Sequence, residues 1–297
     1  MQNVFKYRDG LRRAGVLAAI GLFGLSAMAQ QQVKFQGAHA PGYAYVDEVT
    51  ATLQMPKDVA PPVPAVVILH GSAGIDGRGA FHAEALNRAG IATLEVFMFN
   101  KGQRLREGHS ATLTHAYGAL KYLAERPDIE PQKIGALGFS WGASLALRAA
   151  SKSVHQKFFP SGQPRFAAHA PFYAPWWVHT KIANDSSNQG FGDYAEFTGA
   201  PVMLFAGGRD DYGSPEAAKE FLGALPESAR GFFSLKFYPK ATHGWDLPSG
   251  SGRTLFDPVA FEGKGGNVRF IPDAAVAAES RESMVNFFAD TFASVKP

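Results

Sequence analysis

Short apolar runs alternate with helix-like segments along most of this chain. Ala65–Leu69 is a continuous apolar run, which is typical of a strand buried on both faces. Ala111–Glu125 instead repeats apolar residues at helical spacing, at Leu113, Tyr117 and Leu120. The same patterns predict strands at Ile91–Phe97, Lys133–Phe139, Arg165–Phe172, Val202–Phe205 and Phe232–Tyr238, and helices at Phe81–Arg88, Ser144–Ala150 and Ala274–Phe292. Strands that alternate with helices predict an α/β fold, with a mostly parallel central sheet covered by helices on both faces.

Two stretches interrupt this alternation. Ala174–Gly199 contains Pro175-Trp176-Trp177 and then a polar run, and we interpret it as a short lid-like insertion over the carboxyl edge of the sheet. Asp246–Gly266 is rich in Gly, Ser and Pro and is predicted to be an ordered loop. Neither stretch has the composition of a domain linker, so residues 30–297 are interpreted as a single domain.

The first 29 residues have the three parts of a secretory signal peptide. Lys6–Arg13 is basic, Ala14–Leu25 is apolar, and Ala27-Met28-Ala29 provides the small residues that precede a cleavage site. A membrane anchor is the alternative, but about 20 apolar residues are needed to span a bilayer. The sequence therefore predicts cleavage after Ala29, no stable membrane insertion afterwards, and a periplasmic or secreted protein.

Composition excludes several classes of function. Hydrophobic residues make up 46% of the chain and charged residues 19%, which excludes a disordered protein. Cysteine is absent, so thiolate metal sites, disulfides and a cysteine nucleophile are excluded. The net charge of +3 arises entirely from the leader, which gives no reason to expect nucleic-acid binding. No metal or nucleotide motif is present in the sequence, so neither a metal nor a cofactor is predicted.

Gly138–Gly142 (GFSWG) matches the G-x-S-x-G pattern in a specific setting. A predicted strand precedes it and a predicted helix follows, as in the sharp turn that exposes a nucleophilic serine. A Gly-rich turn in which Ser140 only caps the helix is the alternative. The strand before and the helix after favour Ser140 as a nucleophile.

A nucleophilic serine needs a base and an acid that orients the base. Asp210 and Asp211 follow the strand Val202–Phe205, and the spacing Gly207-x-x-Asp210 favours Asp210, while Asp211 could instead cap the next helix. His243 follows the strand Phe232–Tyr238. It is the one histidine of nine that comes after both the serine and these acids. The order serine, acid, histidine is that of α/β hydrolases.

Two backbone N–H groups are expected to form the oxyanion hole. Ser72 follows the end of the strand Ala65–Leu69, and Trp141 follows the serine. Aromatic residues are the candidates for substrate contact, although they could equally pack in the core; these are Tyr173, Trp176, Trp177 and Trp245.

From Val66 to Phe292 the chain resembles the dienelactone hydrolase family of α/β hydrolases. The resemblance rests on Leu69-His70-Gly71, Gly138–Gly142, Phe172-Tyr173, Gly207-x-x-Asp210 and the stretch from Tyr238 to Gly244. It implies a mostly parallel sheet of about eight strands, the number shared by α/β hydrolases. The enzymes that give the family its name use a cysteine nucleophile, and a glutamate near the end of the strand that matches Ala65–Leu69. This chain has Ser140 and Leu-His-Gly instead, which resembles a general carboxylesterase of the family.

The residues together predict a serine hydrolase that cleaves carboxylic esters through an acyl-enzyme, with a small-molecule ester as its partner. A peptidase of the prolyl-oligopeptidase type shares the order of the triad, but it usually carries an additional large propeller domain. A non-catalytic binding protein on the same fold is the second alternative, and it would not need the serine, the acid and the histidine together. The oligomeric state is left open.

Overall fold

An eight-stranded sheet forms the centre of the computed structural model, which describes residues 30–100, 104–185, 194–248, 250 and 252–295. Its strands are β1 (Gln30–Phe35), β2 (Val49–Gln54), β3 (Val63–Leu69), β4 (Ala92–Phe97), β5 (Ile129–Phe139), β6 (Ala168–Phe172), β7 (Val202–Gly207) and β8 (Phe233–Tyr238). The predicted signal peptide 1–29 lies outside the described residues.

The strands follow the order β1-β2-β4-β3-β5-β6-β7-β8 across the sheet. From β4 to β8 in that order, the six strands are parallel to one another. Strand β2 pairs antiparallel with β4, and β1 pairs antiparallel with β2. The predicted α/β fold with a mostly parallel sheet is therefore confirmed. In such a sheet the carboxyl ends of the parallel strands meet at one edge, where ligands bind.

Helices cover both faces of the sheet. They are α1 (Arg78–Arg88), α2 (Arg104–Ala124), α3 (Trp141–Ala149), α4 (Lys152–Phe158), α5 (Trp176–Asn184), α6 (Ala217–Ala224), α7 (Glu227–Arg230), α8 (Ala260–Gly263) and α9 (Ala274–Ser294). Buried residues of α1 and α9 share one hydrophobic cluster, and those of α2, α3 and α4 share another. Among the described helices, none has the length and hydrophobicity needed to cross a bilayer.

Strand β3 shows why a continuous apolar run is needed at the centre of this sheet. Val66 and Ile68 pack in the cluster with α1 and α9, while Val67 and Leu69 pack in the cluster with α2 and α3. All four side chains are fully buried. A strand with helices on both faces has no solvent-facing side, so neither set of alternating positions can be polar.

A separate antiparallel hairpin lies within and just beyond the stretch predicted as a loop. It consists of β9 (Arg253–Asp257) and β10 (Gly266–Phe270), joined by the turn that includes α8. The lid-like insertion predicted at 174–199 contains α5, which packs with Phe221 of α6 on the body of the protein. Residues 186–193 of that insertion lie outside the described residues.

Candidate active site

Ser140 occupies a strained turn between β5 and α3. Its φ of 52° and ψ of −105° are unfavourable for a residue with a side chain, and such strain is typical of functional positions. The Ser140 N–H donates to Phe172 O at 3.0 Å, which fixes the turn against β6. A Cβ added at Gly138 would lie 2.1 Å from Gly142 O, and one at Gly142 would lie 2.0 Å from Leu69 O. The two glycines are therefore required by backbone contacts.

His243 and Asp210 are hydrogen-bonded to each other. His243 Nδ1 lies 2.8 Å from Asp210 Oδ2, and both side chains are nearly buried. Asp210 Oδ1 accepts from the N–H of Tyr212 at 3.0 Å, so both carboxylate oxygens have partners. With Nδ1–H donating to the carboxylate, His243 Nε2 carries the lone pair, which is the tautomer that a general base needs. His243 and Ser140 line the same cavity.

Asp211 makes a different set of contacts. Its carboxylate accepts three hydrogen bonds from Arg269, of 2.6 and 2.9 Å from the guanidinium and 2.8 Å from the backbone N–H. Burial raises the pKa of Asp211, but the hydrogen bonds from Arg269 outweigh it and hold that pKa below its usual value. Of the two acids that the sequence left open, Asp210 contacts the histidine and Asp211 binds the hairpin.

The loop after β3 brings Ser72 to the cavity that Ser140 lines. His70 supports this loop, because its Nδ1 donates to Gly71 O at 2.8 Å while its Nε2 accepts from Met98 N at 3.0 Å. Burial lowers the pKa of His70 to about 4, so the ring is neutral and holds both bonds. Trp141 is the first residue of α3, and its indole Nε1 donates to Thr112 Oγ1 at 3.3 Å.

The cavity has a volume of about 210 Å³ and is partly open to solvent. The hairpin forms much of its wall, a role that no pattern in the sequence of this stretch indicates. The described residues that line it are Ser72, Ala73, Arg78, Ser140, Tyr212, His243, Arg253, Leu255, Phe256, Asp257 and Phe270.

The hairpin is tied to the loops that carry the acid and the histidine. Tyr212 donates its hydroxyl to Asp257 Oδ2 at 2.8 Å, on the β9 side. Thr242 Oγ1 accepts from the N–H of Ile271 at 2.9 Å, just after β10. The Phe270 ring packs edge-on to the His243 ring, with centroids 5.3 Å apart. These contacts therefore fix the wall of the cavity and His243 relative to each other.

The four aromatic residues predicted to contact substrate do not line this cavity. Trp245 is fully buried in the core, and its Nε1 donates to Ser280 Oγ at 3.0 Å. Tyr173 is also fully buried. Trp176 packs on Phe221 of α6, while the Trp177 ring lies 4.4 Å from the Lys181 ammonium. The prediction is corrected here: Leu255, Phe256 and Phe270 supply the apolar part of the wall.

Comparisons with known proteins agree with this architecture. The sequence matches the model of the dienelactone hydrolase family over residues 49–292. A comparison with curated proteins found no match.

Solved structures with similar folds include three enzymes. A dienelactone hydrolase-like promiscuous phosphotriesterase from metagenomic libraries is 17% identical, with a TM-score of 0.61, and the match covers 89% of this chain and 99% of that one. Esterase 2 of Thermogutta terrifontis, phosphonylated by cyclosarin, is 16% identical with a TM-score of 0.61, covering 88% and 96% of the two chains. An esterase of Pyrobaculum calidifontis is 15% identical with a TM-score of 0.57, covering 88% and 85%.

At these identities the structural likeness establishes the α/β-hydrolase fold, and the family model adds the sequence evidence. The match to that model includes Ser140, Asp210 and His243 and takes in most of the chain. The chain therefore belongs to the dienelactone hydrolase family of α/β hydrolases.

Proposed function

We propose that the protein is a serine esterase in which Ser140, His243 and Asp210 form the catalytic triad. The observation that supports this most strongly is the 2.8 Å bond between His243 Nδ1 and Asp210 Oδ2, beside a cavity that Ser140 also lines. Carboxylate, imidazole and serine hydroxyl in this relation form the arrangement that activates serine as a nucleophile. A binding protein on the same fold has no need of a strained serine and an oriented histidine that line one cavity.

In the first half of the reaction Ser140 Oγ attacks the acyl carbon of the ester while His243 Nε2 takes the hydroxyl proton. The carbonyl oxygen becomes an oxyanion, which the N–H groups of Ser72 and Trp141 stabilise. When the tetrahedral intermediate collapses, the bond from carbon to the alcohol oxygen breaks. The leaving alkoxide then receives the proton from His243, and the acyl group remains on Ser140.

In the second half a water molecule attacks the acyl-enzyme, with His243 as its base. The bond from the acyl carbon to Ser140 Oγ breaks, the serine recovers its proton and the carboxylic acid leaves. Asp210 accepts the hydrogen bond from His243 Nδ1 and stabilises the imidazolium that forms twice in the cycle.

The volume and the wall of the cavity favour small substrates. Its volume of about 210 Å³ is below the roughly 300–1,000 Å³ of pockets that hold drug-sized ligands. Its apolar wall, formed by Leu255, Phe256 and Phe270, suits a short acyl chain or an aryl group. Short-acyl and aryl esters are therefore the proposed substrates, and long-chain triglycerides are not.

Labelling of Ser140 is the direct test of this function. The similar esterase phosphonylated by cyclosarin makes an organophosphorus reagent the natural probe. A fluorophosphonate should add one phosphonyl group to the wild-type protein, located at Ser140 by peptide mass spectrometry, and none to Ser140→Ala. A panel of aryl acetates, lactones and prolyl peptides should then show turnover of the acetates. Failure of labelling together with absence of ester hydrolysis would sink the esterase proposal, while preferred cleavage of the peptides would point to a peptidase.

We further propose that the protein is exported and that residues 1–29 are removed. The basic segment, the apolar run and Ala27-Met28-Ala29 support this. Mass spectrometry of the protein recovered from an exporting bacterial cell should find Gln30 at the amino terminus. Recovery of an intact leader in the membrane fraction would contradict it.

A further inference from the structure

Arg78 places a buried positive charge at the cavity that Ser140 lines. It is the first residue of α1, and only 4% of its surface is exposed. It lines the cavity together with Ser72, Ser140 and His243. The triad mechanism described above makes no use of it. Because a buried charge is costly unless it is well paired, this guanidinium needs partners inside the protein.

Two groups hold the guanidinium. Nε donates to Asp76 Oδ1 at 2.9 Å and Nη2 donates to Asp76 Oδ2 at 2.6 Å, a bidentate pair. Nη1 donates to the hydroxyl of Tyr173 at 3.0 Å. An arginine has five N–H bonds, so these contacts use three of them and leave one on each terminal nitrogen.

A second carboxylate lies behind Tyr173. The Tyr173 hydroxyl donates to Asp246 Oδ1 at 2.6 Å, and Asp246 Oδ2 lies 2.8 Å from His82 Nε2. Burial raises the pKa of Asp246, but contacts with His82, Arg78 and Tyr173 outweigh this and lower it. The lowered pKa favours the ionised form of Asp246, so the Asp76 carboxylate in direct contact and the Asp246 carboxylate behind Tyr173 offset the cost of burying the Arg78 charge. Of these groups, Arg78 alone is among the described residues that line the cavity, so an atom in the cavity meets the guanidinium rather than Asp76 or Asp246.

The guanidinium packs against the loop that carries Ser72. A Cβ added at Gly71 would lie 2.8 Å from Arg78 Nη2, so the guanidinium packs on the residue that precedes Ser72. On its other side, the Tyr173 ring lies edge-on to the His243 ring at 4.9 Å. Tyr173 holds this place with a φ of 41°, a strained value for a residue with a side chain. The network therefore spans the oxyanion loop and the histidine.

We propose that Arg78 is a further catalytic residue, whose guanidinium stabilises the negative charge on the carbonyl oxygen beside the N–H groups of Ser72 and Trp141. The proposal rests on the serine esterase function proposed above. A fixed positive charge in a partly desolvated site needs no reorganisation as the oxyanion develops, so it lowers the barrier without tightening the binding of the neutral ester. Arg78 forms no covalent bond in either half of the reaction.

The test compares wild type with Arg78→Gln and Arg78→Lys in the hydrolysis of p-nitrophenyl acetate. Arg78→Gln should lower kcat by about 10²-fold, the loss typical of one oxyanion donor, with little change in KM. A trifluoromethyl ketone adds to the serine and forms an anionic adduct, so its inhibition constant should rise by a similar factor. Arg78→Lys keeps the charge and should lose less. Arg126→Gln is the matched control, because Arg126 makes a bidentate pair with Asp128 away from the cavity and should leave all three constants unchanged.

A double variant distinguishes a loss of catalysis from a loss of the folded structure. Arg78→Gln leaves Asp76 without its ion-pair partner, whereas Arg78→Gln with Asp76→Asn removes both charges, and circular dichroism then confirms a folded protein. If a folded variant without the Arg78 charge keeps kcat and the inhibition constant of the ketone, or if only KM rises, the proposal is overturned. Loss of the esterase function itself would be seen earlier, as a wild-type protein that neither hydrolyses esters nor reacts with the fluorophosphonate.

Discussion

Asp211 and Arg269 join the loop that carries Asp210 to the hairpin that forms one wall of the cavity. Three hydrogen bonds, of 2.6, 2.8 and 2.9 Å, connect one carboxylate to one arginine and its backbone. Asp211 directly follows Asp210 in the chain, so the contact that holds β10 also fixes the residue beside the one that orients His243. The two acids divide two tasks, orientation of the base and attachment of the wall.

Asp211→Asn is expected to impair the enzyme, although less than Asp210→Asn. From sequence alone Asp211→Asn would be nearly silent, but loss of the charge weakens hydrogen bonds that are worth about 1.5–3 kcal/mol each when a partner is charged. We expect kcat/KM for an aryl acetate to fall about 10-fold, against about 10²–10⁴-fold for Asp210→Asn, which disturbs the histidine tautomer. Steady-state kinetics on both variants measure the difference.

Lys219→Gln is the control for Asp211→Asn, because Lys219 forms an ion pair with Glu216 in which both side chains are more than half exposed. Such surface pairs contribute about 0–1 kcal/mol, so activity should be unchanged. Arg269→Gln should reproduce the effect of Asp211→Asn. If Asp211→Asn is as active as wild type, the ion pair does not position the acid loop.

The triad acts as a unit in the proposed mechanism, so its members should not contribute additively. Ser140→Ala and His243→Ala should each lower kcat by about 10⁴-fold or more, and the double variant should be little worse than either. Kinetics on folded proteins, checked by circular dichroism, provide the measurement. Near-native esterase activity in folded Ser140→Ala would exclude Ser140 as the nucleophile.

The sequence predicted the central sheet because its physical signal is strong. Strands such as β3 must be apolar on both faces, and α2 must repeat apolar residues at helical spacing. The G-x-S-x-G pattern could be located for a similar reason, since Gly138 and Gly142 have no room for a Cβ. These constraints come from burial and backbone contact, which leave a clear record in a single sequence.

The sequence of the hairpin carries no such pattern. Four of the five residues of β9 are exposed, so the strand shows no alternation of buried and exposed positions. Strand β1 begins Gln-Gln-Gln and is polar for the same reason, because it pairs at the edge of the sheet. For the aromatic residues the error was the opposite one, because a role in substrate binding was predicted for side chains that pack in the core. Trp245 and Tyr173 lie close to the site in sequence, but their large apolar surfaces are buried in the core.

Stability should fall as the pH rises from about 4.5 to about 7 because of Glu95 on β4. Burial, together with the nearby Asp76 carboxylate, raises the pKa of Glu95 to about 7 from a value of 4.5. Between these two values the folded protein binds a proton that the unfolded chain has lost, so this contribution to stability is complete below pH 4.5 and is lost as the pH passes 7. Glu95→Gln stays neutral and should therefore be more stable than wild type above neutrality. Urea unfolding at acidic and alkaline pH measures this.

The matched control is Glu125→Gln, because the Glu125 side chain is 67% exposed. Its substitution should change the free energy of unfolding by the same small amount at both pH values. For Glu95→Gln the difference from wild type should grow with pH. A constant difference would show that Glu95 ionises at its ordinary pKa in the folded protein.

Phe256 should control the affinity for aryl esters without affecting the chemistry. It is 72% exposed and lines the cavity from the hairpin. An exposed apolar wall contacts the aryl group equally in the bound ester and in the transition state, so its loss weakens both by the same amount. Phe256→Ser should therefore raise KM for naphthyl acetate by about 10-fold while kcat is retained, and it should leave the hydrolysis of ethyl acetate unchanged.

Phe261→Ser provides the comparison on the same hairpin, since Phe261 is 43% exposed but is not among the residues that line the cavity. Equal changes in KM for the two variants would mean that the hairpin acts through its fold rather than through Phe256, whereas a fall in kcat would place Phe256 against the reacting atoms.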